Sequence, residues 1–126
     1  MNLEFDHIQI TVERHCESAS LQFYRTVMEF LEIQKPDSLQ KNGGAWFQVG
    51  TMELHVSHED STLNNKISKR HICYKTSDID QVRTRLEKHG VEIIPDLQPI
   101  AEWIRFYIRD PGGNRIEIAQ RVSSVD

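Results

Sequence analysis

The stretch Arg115-Ile116-Glu117-Ile118-Ala119, read together with Arg70-His71-Ile72-Cys73, decides how this chain is organised. Apolar and polar residues alternate in both, as they do in half-buried strands whose two faces meet different surroundings. They set a histidine and a glutamate, His71 and Glu117, 46 positions apart. The same pair occurs earlier: His7-Ile8-Gln9 is followed by Glu53-Leu54-His55, again 46 positions from histidine to glutamate. A shift of 64 positions lays His7 on His71 and Glu53 on Glu117. Self-similarity at a fixed offset points to two copies of one supersecondary unit.

The pattern around these pairs repeats as well. Residues 5–12 alternate, with Ile8, Ile10 and Val12 on one face and His7, Gln9 and Thr11 on the other. Residues 17–30 change to helical spacing through Leu21, Tyr24, Val27 and Met28, giving the isoleucine face a helix to cover it. Residues 31–35 read as a strand stopped by Pro36, and residues 40–44 as a turn in which Gly43 and Gly44 permit unusual φ angles. Residues 45–49 and 52–57 read as strands joined by a tight hairpin at Gly50-Thr51. The polar, aperiodic residues 58–69 read as a linker.

The second half follows the same plan. His71, Cys73 and Lys75 alternate with Ile72, Tyr74 and Thr76. Ser77 is expected to cap a helix reaching about His89, with Ile79, Val82 and Leu86 on its buried stripe and Gly90 just past its end. Strands follow at 91–94, 103–109 and 115–120, the last two joined by the turn-forming Asp110-Pro111-Gly112-Gly113-Asn114. The expectation is an α+β fold, one domain over residues 1–126 made of two βαβββ modules at about 5–57 and 70–121. Its eight strands would carry the polar residues on their inner faces.

Composition excludes several classes of partner. Fifteen basic and 19 acidic residues give a net charge of −4, which suits neither nucleic acid nor an anionic membrane surface. Apolar residues at 38% and charged residues at 27% are the balance of an ordinary soluble domain. The first six residues hold no basic and apolar signal, and no long apolar run follows, so a cytoplasmic protein is expected. Cys16 and Cys73 are too few for a disulfide framework and are expected as reduced thiols.

The inward-facing set is His7, Gln9, Glu53, His55, His71, Cys73, Lys75, Tyr107 and Glu117. Imidazole nitrogen with carboxylate oxygen suits a divalent Zn, Ni, Fe, Co or Mn rather than an all-oxygen calcium site. A single histidine on the polar side of a strand is more often solvated than a ligand; the matched spacing singles out His7, His71 and Glu117. Glu53 and His55 share one strand face, so either, or neither, fills a fourth position. Glu53 falls on Glu117 under the shift, whereas His55 falls on Ala119. Tyr107 lies across the turn from Glu117 on the neighbouring strand, near the site, where an aromatic also suits strand packing. Lys75 and Arg105 bind an anion or sit at the rim; Trp46 and Trp103 line a pocket or fill the core. His15, His58 and His89 are expected to be structural or solvated.

The two βαβββ units, the histidines opening the first strand of each, and the run Asp110-Pro111-Gly112-Gly113-Asn114-Arg115-Ile116-Glu117 resemble the vicinal oxygen chelate superfamily. That superfamily includes glyoxalase I, fosfomycin-resistance thiol transferases, extradiol dioxygenases and bleomycin-resistance proteins. The resemblance implies a glyoxalase-like fold, a curved eight-stranded pair of half-barrels, and His7, His71 and Glu117 as metal ligands, with Glu53 as a further ligand and base, as in glyoxalase I. It also implies a substrate hydrogen bond from Tyr107, and a homodimer. Two functions follow as expectations: a metal-dependent lyase, isomerase, thiol transferase or oxygenase acting on a small oxygen-chelating molecule, or a metal-free binder of the bleomycin-resistance kind.

Overall fold

In the computed structural model, which describes residues 1–60 and 64–122, the chain divides into two units, Met1–Asn64 and Asn65–Asp126. The first holds β1 (His7–Glu13), α1 (Glu17–Gln22), β2 (Leu31–Ile33), β3 (Ala45–Val49) and β4 (Met52–Glu59). The second holds β5 (His71–Lys75), α2 (Ile79–Lys88), β6 (Ile94–Pro95), β7 (Trp103–Arg109) and β8 (Arg115–Arg121). The two four-stranded sheets have the same connectivity, β1-β4-β3-β2 and β5-β8-β7-β6. In each the first strand runs parallel to the last and the other pairs are antiparallel. Among the described residues the architecture is thus α+β, a βαβββ unit made twice, with two open sheets and no closed barrel.

Burial follows the alternation. Val12, Tyr24, Phe47, Leu54 and Val56 are buried in the first unit, and Ile79, Leu86, Phe106, Ile108, Ile116 and Ile118 in the second. Each such side chain contributes about 1.5–3 kcal/mol by leaving water. The residues that alternate with these along each strand present the opposite, polar face.

Local chemistry corrects several boundaries. The helix expected over 17–30 is α-helical only through Gln22; the Phe23–Val27 segment widens into a π-helical turn. α2 is capped by Asp78 rather than Ser77, since the Asp78 carboxylate accepts the Gln81 N–H at 3.1 Å. Gly90 does follow the helix with φ 76°, and the Val91 N–H bonds back to the Leu86 carbonyl at 2.9 Å. That bond commits Val91 to the helix end, so β6 is Ile94–Pro95 rather than 91–94. β2 stops at Ile33 because Lys35 turns in: its ammonium donates to the Gly43 carbonyl, and its own carbonyl accepts from Gln40 at 2.7 Å. The expected turn at 40–44 is a 3-10 helix, Asp37–Asn42, followed by Gly43 and Gly44 at φ 71° and 78°. β4 runs on to Glu59, paired there with Glu13, so the region expected as linker begins later. Of that region residues 61–63 lie outside the described residues, and Asn65–Ile67 is a 3-10 turn.

The repeat has one internal difference. In the first sheet His7 pairs with Glu53 and Ile8 with Leu54. In the second, His71 pairs with Arg115, Ile72 with Ile116, and Cys73 with Glu117. The parallel register is offset by two residues between the units. A two-residue slip leaves every side chain on its original face, so both histidine–glutamate pairs keep a common face. Among the described residues no helix is long and apolar enough to cross a membrane.

Candidate metal centre

In the second unit, β5 and β8 lie side by side and bring His71 and Glu117 together, Nε2 to Oε1 at 3.1 Å. The opposite ring nitrogen, Nδ1, is 2.9 Å from the Lys69 carbonyl. A carbonyl only accepts, so Nδ1 carries a proton. A neutral His71 therefore aims a bare Nε2 lone pair at a carboxylate oxygen. Two lone pairs at 3.1 Å need a cation between them, whether a proton or a metal ion. Donors about 2.0–2.2 Å from one metal, and adjacent around it, sit roughly 3 Å apart. The donor chemistry of this pair fits a divalent metal.

Glu117 is held from its other side as well. Its Oε2 lies 3.6 Å from Arg105 Nη1, and both side chains are nearly covered. Arg105 does not offer itself to a ligand: Nε and Nη2 make a two-pronged contact with Asp96 at 2.9 and 3.1 Å. Nη2 also donates to the Gln98 carbonyl at 2.9 Å. Hydrogen bonding from Arg105 holds the Asp96 carboxyl below the usual carboxylate range. Tyr107 pairs with Glu117 in the β7–β8 ladder and sets its ring edge-on to His71, 6.1 Å between centroids. Cys73 is opposite Glu117 in the register with β8. Covering of its sulfur, then the neighbouring carboxylate, push the thiol up to about 11, which keeps it protonated at neutral pH.

The turn before β8 explains why Glu117 is placed so firmly. The buried Asp110 carboxylate accepts from the Gly112 N–H at 2.9 Å and from the Asn114 N–H and side-chain amide at 2.8 and 3.0 Å. Gly113, at φ 88°, lies where an added Cβ would sit 2.9 Å from the Lys66 side chain. Asn65 and Arg109 tie the outside of the turn to the start of the unit through the Gly112 and Gly113 carbonyls.

The first unit is arranged differently. His7 sets Nδ1 2.9 Å from the exposed Asp6 carboxylate. Glu53, opposite His7 in register, is bound instead by His55, Nε2 to Oε1 at 2.9 Å. His55 is buried and stacked on both faces: His7 at 4.2 Å and 12° on one side, Trp46 at 3.8 Å and 4° on the other. Gln9 donates to Ser57. A cavity of about 470 Å³ opens beside Trp46 and Glu53. His55 thus orients Glu53 and carries the ring stack. The stack was within reach of the sequence, because the Gly50-Thr51 hairpin sets Trp46 opposite His55.

The remaining candidates sit apart from these pairs. Lys75 is exposed at the end of β5. Trp103 is half-buried, with the Arg121 guanidinium 5.8 Å from its ring. His58 pairs with Glu17 in a structural contact, and both cysteines are free thiols. Among the described residues, no three His, Cys, Asp or Glu side chains are gathered into a metal-holding group.

A repeated βαβββ unit with a histidine opening the first strand and a glutamate on the last defines a glyoxalase-like class of fold. The Glyoxalase/Bleomycin resistance protein/Dioxygenase superfamily model matches residues 4–118, and the chain belongs to that superfamily. Among solved structures, a glyoxalase family protein from Bacillus anthracis is 35% identical, with a TM-score of 0.86 over 96% of this chain and 97% of that one. More distant in sequence is a lactoylglutathione lyase from Agrobacterium tumefaciens, at 18% identity and a TM-score of 0.72 over 95% of each chain. A fosfomycin resistance protein from Listeria monocytogenes has 19% identity and a TM-score of 0.76, over 94% of this chain and 91% of its own. These two share the fold. No curated protein matches the chain.

Proposed function

We propose that the protein is a metal-dependent enzyme of the glyoxalase/dioxygenase class, with His7, His71, Glu117 and Glu53 as ligands to one divalent ion. The observation that carries this reading is the His71–Glu117 pair, whose 3.1 Å contact sets imidazole Nε2 against a carboxylate oxygen while Nδ1 is held by the Lys69 carbonyl. The anchored Nδ1 of each histidine further supports it, because such bonds fix the tautomer that leaves Nε2 as donor. A bound ion of the Zn, Ni, Fe, Mn or Co kind would supply Lewis-acid polarisation of a carbonyl or epoxide oxygen on a small chelating substrate. Glu53, steadied by His55, is the residue placed to take a proton, and Tyr107 to donate a hydrogen bond to a substrate oxygen. Resemblance to the superfamily supports a homodimer, which light scattering on the eluting protein checks.

The second reading is a metal-free groove that sequesters a ligand. One observation favours it: Arg105 already neutralises part of the Glu117 charge. Melting temperature with and without Zn, Ni, Mn, Co and Fe(II), on untagged protein, separates the two. Stabilisation by at least one metal is expected, and it should shrink in Glu117→Gln, which removes an anionic ligand at nearly constant shape. A wild-type protein indifferent to all five metals would leave only the binding groove.

A further inference from the structure

A cavity of about 490 Å³ lies wholly within the second unit, and four of its ten lining residues are Lys69, Arg105, Arg109 and Arg115. In a chain whose net charge is −4, this concentration of cations is local and directed. A single acid, Asp96, shares the wall, and Arg105 holds it in the two-pronged ion pair described above. The pair cancels both charges. Three cations then remain, and among the described residues none of them has a carboxylate within ion-pair reach. The Arg115 guanidinium carbon lies over the Tyr107 ring, 4.1 Å from its centre. Arg109 is braced by donating Nη1 to the Asn65 and Gly113 carbonyls at 3.1 and 2.9 Å. Lys69 is exposed at the mouth, and its carbonyl holds His71.

We infer that this cavity is an oxyanion subsite, in which Arg109, Arg115 and Lys69 take a carboxylate or phosphoryl group of a small organic acid. Two guanidinium groups already braced by neighbours lose little freedom on gripping an anion, and they present the forked donors that carboxylates and phosphates match. Ile94, Pro95 and Leu97 form the rest of the wall and give a short carbon skeleton an apolar surface. The subsite adjoins the candidate metal pair through Tyr107 and Arg105, both of which line the cavity and meet His71 or Glu117. As the substrate class of that centre the inference rests on the proposed function; as an anion site it stands independently.

The test is calorimetric titration of the chelator-treated full chain with inorganic phosphate and, separately, with acetate, at low ionic strength. Saturable binding of at least one is expected. It should weaken about tenfold or more in Arg115→Gln and in Lys69→Met, because a hydrogen bond to a charged group is lost in each. It should persist unchanged in Lys88→Gln, at the far end of α2. If Arg115→Gln does not fold, Lys69→Met alone decides. No saturable binding of either anion, or equal weakening in Lys88→Gln, would overturn the subsite. Metal stabilisation without anion binding would leave the enzyme reading standing and remove this one; the reverse result would do the opposite.

Discussion

His55 is the residue whose role changes most between sequence and structure. Its face and its neighbour Glu53 made it a ligand candidate, yet it is buried between the rings of His7 and Trp46 with Nε2 committed to Glu53. Replacing it by alanine opens a slot between two rings and frees Glu53, so we expect a loss of about 2 kcal/mol from lost stacking and one charged hydrogen bond. Phenylalanine should restore most of the stability by refilling the slot but none of the hold on Glu53. Denaturant melts of His55→Ala and His55→Phe check this; equal stability of the two variants would deny the stack any role. Strand alternation revealed which side chains share a face. It could not show which of them are already bound to one another.

Turns set the elements. Asp110 is 4% exposed and its carboxylate accepts from three donors. Alanine there would strand two half-buried N–H groups, a cost of about 2 kcal/mol. The melting temperature of Asp110→Ala should fall accordingly, and a change of less than a few degrees would mean the turn is held by other groups. In the first unit Gly44, at φ 78°, passes so close to β4 that an added Cβ would meet the Val56 carbonyl oxygen at 2.3 Å. Gly44→Ala combines an unfavourable φ with a backbone clash and should cost about 3 kcal/mol, whereas Gly50→Ala meets no atom within 4 Å and should cost only the φ penalty. Ser20 offers the opposite case: it is fully buried, and among the described residues its hydroxyl has no partner. Ser20→Ala should be neutral or stabilising in a thermal melt, since an unpaired buried hydroxyl is removed.

For the whole molecule, acid stability follows from where the ion pairs lie. Arg14–Asp60 in the first unit is exposed, 65% and 72%, and water screens it. Arg105–Asp96 in the second is 13% and 11% exposed. Both aspartates have pKa values lowered by hydrogen bonds from their arginines. A lowered aspartate pKa stabilises the fold above the unfolded value near 4 and loses that contribution as pH falls through the folded one. Thermal melts between pH 5 and 2.5 should therefore show a steep decline that Asp96→Asn flattens and Asp60→Asn barely alters. An identical decline in Asp96→Asn and wild type would show that the pair carries no pH-linked stability.

The sequence alone determined the α+β class, the repeated βαβββ order, the faces of the strands and the turn before Glu117. All of these depend on local periodicity and on residues that act within a few positions of themselves. Helix and strand ends were less legible, because Val91 and Lys35 are claimed by contacts that periodicity does not encode. Only the tertiary structure decided the two-residue difference in register between the units, the burial of His55 between two rings, and the cancellation of Arg105 by Asp96. The reason is physical: alternation with period two is unchanged when a strand slides by two residues. It therefore fixes the direction of a side chain and leaves open which neighbour it meets.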